Sequence, residues 1–167
     1  MYKRFRSHGP RHSTDHHLAA VRLLDRLQIL IMHTCVHREQ PIYSMDMVEH
    51  IIGEVDKMRD SIKEITEELC HLSGHHEVYM EAKKALCDLK GIFNYLREQL
   101  RKVIQEPNNP VTGAVTATNH NMHTHFERVR GVLSEACPRI RREYDELVND
   151  MHRLGLISSE IKSTHVL

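Results

Sequence analysis

The apolar residues Val48, Ile51, Val55, Met58, Ile62, Ile65, Leu69 and Leu72 follow one another at steps of 3, 4, 3, 4, 3, 4 and 3. These steps average the 3.5-residue period that keeps one helical stripe against a neighbouring helix. A strand alternates sides every residue, so it would scatter the same eight side chains over both faces. The segment is therefore read as a helix with one face committed to other helices, the seam of a coiled coil. Glu54, Asp56, Lys57, Arg59, Lys63, Glu64, Glu67 and Glu68 stand off the seam and are expected on solvated faces. Pro41 breaks the chain before this helix, and Ser44 is placed to cap it.

Three more segments carry the helical period. From about Asp15 to His37 the stripe is Leu18, Val21, Leu24, Leu27, Ile31 and Cys35. Leu23, Ile29, Leu30, Met32 and Val36 widen it almost all round, which suits a helix that is central or docked on a partner. From about His75 to Gln105 it is Val78, Ala82, Ala85, Leu89, Ile92 and Leu96, broadened by Leu86, Phe93, Leu100, Val103 and Ile104. From about His120 to Leu154 it is Met122, Phe126, Val129, Leu133, Ala136, Ile140, Leu147, Met151 and Leu154. Pro138 falls inside this last helix, which predicts a kink or two helices in near register.

The second and third helices are not one rod. Continuing the seam of the second would put Lys83 and Lys90 at apolar positions and turn Val78, Ala82 and Leu89 outward. The phase slips at Ser73-Gly74, and glycine just past a helix end favours the left-handed turn that closes it. The stretch is thus read as the corner of an antiparallel hairpin. Residues 106–118 are rich in Pro, Asn, Gly and Thr and read as a flexible connector. The expected fold is all-α: four long amphipathic helices over residues 14–155, in an up-down bundle or an elongated coiled-coil hairpin. Residues 1–13 are expected to be a disordered basic tail, and residues 156–167 a frayed end.

Charge and cysteine usage narrow the function. Lys plus Arg and Asp plus Glu are both 23, so a chain of zero formal net charge makes no general case for binding nucleic acid. Two local basic features are the exception: Lys3, Arg4, Arg6 and Arg11 in the acid-free tail, and Arg139, Arg141 and Arg142. The four cysteines, Cys35, Cys70, Cys87 and Cys137, form no CxxC pair and suit reduced thiols in an intracellular protein, cytoplasmic or nuclear. The longest apolar run, Leu27–Val36, is about half the roughly 20 residues that cross a bilayer, so no membrane partner is expected.

The 15 histidines invite a metal site. An up-down bundle would gather His16, His17, His71, His75, His76 and His152 near one end. It would gather His33, His37, His50, His120, His123 and His125 near the other. Cys70, His71, His75 and His76 offer zinc-ligating atoms around the hairpin corner. However, neighbours on a helix point about 100° apart, and the simpler reading is exposed turn residues. A di-iron carboxylate centre needs two ExxH motifs, and the chain has the single pair Glu68-x-x-His71. No phosphate-cradling loop or nucleophile motif is present. No cofactor is expected, zinc being the alternative.

The expected function is non-enzymatic: a helical subunit or adaptor in a larger assembly of cytoskeletal, spindle or chromatin type. Its seam, Val48 to Leu72, would meet other helical proteins or a second copy. The alternatives are a nucleic-acid-associated factor using the basic tail and Arg139–Arg142, or a histidine-rich metal-binding bundle.

Overall fold

A computed structural model describes residues 13–71, 76–105, 115–165 and 167. All of its regular structure is helical: α1 (Ser13–Val36), α2 (Met45–Cys70), α3 (His76–Gln105), α4 (Val115–Arg153) and a short α5 (Ser159–Thr164). The chain is an all-α bundle of four long helices, as the periodicities predict.

Cross-helix contacts give the direction of each helix. His16 at the start of α1 meets Glu68 at the end of α2, while His37 at the other end of α1 lies beside Glu54 near the start of α2. Arg153, ending α4, pairs with Glu81 at the start of α3. Tyr144 on α4 donates to the Leu24 carbonyl on α1, and Arg130 reaches the Arg38 carbonyl just beyond α1. Each helix therefore runs antiparallel to its neighbours, and the order is up-down-up-down.

The described seam residues Val48, Ile51, Val55, Met58, Ile62, Ile65 and Leu69 are all 2% exposed or less. Leu72 lies outside the described residues. Because α2 packs between α1 and α3, its buried surface is wider than a two-helix seam and also takes in Ile52, Ser61 and Glu54. Glu54 was expected on a solvated face; it sits one residue before the seam residue Val55, on the flank that α1 covers, and is buried. Ser44 caps α2 as predicted, its hydroxyl accepting from the Met47 amide.

Helix α4 differs from expectation at both ends. It starts at Val115, inside the segment 106–118 read as connector, and runs unbroken through Pro138. Pro138 and Ser134, whose carbonyl loses its i+4 donor, both face solvent, where water can satisfy that carbonyl. At its C-terminus Gly155 takes φ 74°, Leu156 N–H bonds to the Met151 carbonyl and Gly155 N–H to that of His152. This pair of bonds closes a helix while turning the chain back over it.

The turn explains why residues 156–167 are not a frayed end. Leu156 and Ile157 are buried, Ser158 caps α5 by accepting from Ile161, and the chain beyond docks on α1 and α4. His165 binds Asp25, Gln28 donates to the Thr164 carbonyl, and Arg141 donates to the Leu167 carbonyl. No helix among the described residues is long and apolar enough to cross a membrane.

Candidate functional site

Two features stand out once the core is accounted for. The first is the outer face of α1. Its inner face is consumed by Ala20, Leu24, Leu27, Ile31 and Cys35. Asp15, Leu18, Arg22, Asp25, Ile29, Met32 and Val36 then form a second row at steps of three and four, all exposed. The four apolar members are 45–53% exposed, and Tyr43 stands exposed just beyond the helix. Met32 and Val36, at the end of this row, border a groove of about 350 Å³ between α1 and α4, whose rim carries Arg38, Glu39, Arg141 and Leu167. The near-continuous apolarity of this helix in sequence was the signal for such a face; which residues stayed outside required the packed bundle.

Two buried thiols lie behind that groove. Cys35 on α1 and Cys137 on α4 are hydrogen-bonded to each other. The bond from Cys137, aided by Arg38 and Arg141, holds the Cys35 thiol below its usual range despite burial. The same bond, with burial, pushes Cys137 far up.

The second feature is a cluster at the α1–α2 junction. His33 lies in the last turn of α1 and His37 in the turn just past its end; His50 and Glu54 stand four residues apart on α2. That spacing puts His50 and Glu54 on one helix face, and the turn after Val36 brings His37 to the same carboxylate as His33. The Glu54 side chain is 7% exposed and is approached by three imidazoles: His50 Nε2 at 3.6 Å, His37 Nε2 at 3.7 Å and His33 Nδ1 at 3.9 Å. These distances exceed hydrogen-bonding range, and Glu54 Oε1 and His37 Nδ1 are enclosed without a hydrogen-bond partner. The up-down topology inferred from sequence groups the three histidines at one end. Glu54 escaped notice because the heptad pattern assigns a charge beside the seam to solvent.

The other sequence-derived candidates separate. Cys70 lies on the exposed side of α2 and interacts with Tyr79, whose hydroxyl is held up by burial first and by Cys70 next. His71 stacks on the ring of His16 at 4.6 Å, and His16 binds Glu68 at 2.6 Å. His75 and the His76 side chain lie outside the described residues. Among the described residues, no group of three or more His, Cys, Asp or Glu side chains is arranged so as to hold a metal ion.

The arginine trio is divided by helix geometry. Arg139 and Arg142 share a shallow surface with Asp88 and Glu143, while Arg141 points to the opposite side and holds Leu167. Burial, then the nearby Asp88, raises the Glu143 carboxyl. Lys3, Arg4, Arg6 and Arg11 lie outside the described residues.

No family model, curated protein or solved structure matches this chain.

Proposed function

We propose that this protein is a non-enzymatic helical-bundle adaptor that docks another protein's helix along the outer face of α1. One observation carries the reading: the row Leu18, Arg22, Asp25, Ile29, Met32 and Val36 has seam spacing, yet no helix among the described residues covers it. Helix-in-groove recognition uses apolar anchors at such steps. The α2 seam is filled by the chain's own helices, so a partner meets α1 instead.

The charge around the row describes the occupant. The charges divide along it: Asp15 and Asp25, the latter engaged by His165, flank Arg22 in its first half, and Arg38, paired with Glu39, and Arg141 rim the groove at its other end. The partner is an amphipathic helix of another protein, with apolar residues at seam spacing and acidic residues where it meets Arg38 and Arg141. Apolar anchors supply the affinity of such a contact, and the flanking charges set orientation and partner choice.

A photocrosslinking residue at Met32, with capture from the source cells, tests this. Crosslinks are expected on an acid-flanked heptad helix of another protein, and Ile29→Asp with Val36→Asp should abolish them while leaving the thermal midpoint within about 2 °C, since both sites are exposed. Crosslinks mapping to a second copy, or capture unaffected by the two aspartates, would overturn the proposal.

A further inference from the structure

We propose that His33, His37, His50 and Glu54 bind one divalent transition-metal ion, zinc being the best match to their chemistry. His33 at the end of α1 and His37 in the turn after it face the i,i+4 pair His50 and Glu54 on the antiparallel α2, a pair spaced to chelate from one helix face. The donors are three imidazole nitrogens and one carboxylate, a set that suits zinc and its first-row neighbours and not calcium or magnesium.

Three imidazoles surround one carboxylate. Bonds of about 2.0–2.1 Å in a tetrahedron place neighbouring donor atoms about 3.3–3.4 Å apart. His50 Nε2 and His37 Nε2 lie 3.6 and 3.7 Å from Glu54 Oε1, and His33 Nδ1 lies 3.9 Å from Oε2, a few tenths of an ångström beyond that and too long for hydrogen bonds. A buried carboxylate normally has its oxygens satisfied, and Glu54 Oε1 has no hydrogen-bond partner. A cation at the midpoint of the cluster supplies what it lacks. As they stand these four side chains are not arranged to hold an ion, so closing the shell requires them to turn inward. His33 and His50 are 66% exposed and turn freely, whereas Glu54 and His37 form the enclosed side of the site.

Four protein ligands complete a tetrahedral shell, so the ion is structural, with no open position for a substrate. It fastens the last turn of α1 to the first turns of α2 across the loop 37–44. That position adjoins Met32 and Val36 but shares no residue with the proposed docking row.

The test uses the full chain, stripped with chelator and titrated with zinc chloride by calorimetry. One equivalent should bind with a dissociation constant below about 1 µM and raise the thermal midpoint, as any ligand selective for the folded state does. Cobalt(II) in its place should give the intense visible bands of four-coordinate cobalt. His33→Ala with His50→Ala removes two exposed ligands without touching the core and should weaken zinc at least about 100-fold. Glu54→Gln should weaken it at least about tenfold, while Cys70→Ser with His71→Ala at the opposite end should leave it unchanged. Absence of a stoichiometric site, octahedral cobalt spectra, or unaltered zinc affinity in the His33/His50 variant would each overturn the proposal.

Discussion

Tyr144 is among the largest side chains that the bundle encloses completely, and its hydroxyl makes one hydrogen bond, to the Leu24 carbonyl at 3.3 Å. Burial, reinforced by Asp25 and Asp145, raises its ionisation far above the ordinary tyrosine range. Below about pH 10 the hydroxyl is protonated in both folded and unfolded chains and stability is unaffected. Above it the unfolded chain releases this proton and the folded chain keeps it. The unfolded state then binds fewer protons, so stability falls as pH rises. Tyr144→Phe should cost about 1 kcal/mol at pH 7 through the lost hydrogen bond. It should also lose less stability than wild type between about pH 9 and 11, measured by urea unfolding at each pH. Parallel losses in the two proteins would assign the alkaline instability elsewhere. Glu54 illustrates the limit of reading single residues. Heptad position predicts solvent for it, and only the arrival of His33 and His37 from α1 makes it a buried acid.

At the scale of elements, period was a sufficient guide to helices but not to their ends or attachments. The α2 seam, the α3 stripe and the α4 stripe from Phe126 to Leu154 were all legible, because an apolar phase that persists over several turns has one solution. The start of α4 at Val115 was not, since three of the four residues Val115, Thr116, Ala117 and Thr118 are β-branched and the segment lies beside a Pro/Gly-rich stretch. Nor was α5, whose docking depends on a turn at Gly155 and on partners more than 100 residues away, such as Asp25 and Gln28. Pro138 tests the balance within α4. Pro138→Ala restores a donor for the Ser134 carbonyl and removes a helix-breaking residue, worth up to about 3 kcal/mol in a helix interior. Against this, the unfolded chain regains about 0.4–1 kcal/mol of freedom. Because Pro138 is exposed and its replacement meets no core atoms, a net gain of about 1–2 kcal/mol is expected by chemical denaturation. A neutral result would mean that bending around Pro138 is built into the packing.

For the molecule as a whole, the decisive fact is where its seams point. Val48 to Leu69, the most regular apolar row in the chain, faces inward against the chain's own helices, whereas the less regular row on α1 faces out. Heptad spacing in sequence cannot make that distinction, because a seam has the same pattern whether it is filled from the same chain or another. Once α2 is satisfied internally, folding and docking rest on separate surfaces and should be separable by mutation. Leu69→Ala removes a side chain 2% exposed in the core and should cost about 2–5 kcal/mol. Partner capture should survive wherever the variant is still folded. Ile29→Asp should do the reverse, ending capture at little cost in stability. The thermal midpoint of the isolated chain should also be unchanged over a hundredfold range of protein concentration, because no second chain is needed to bury the α2 seam. A midpoint that climbs with concentration, or a Leu69→Ala protein that stays folded but loses its partner, would mean that the α2 seam is shared between chains. In that case the outward row on α1 would need a different explanation.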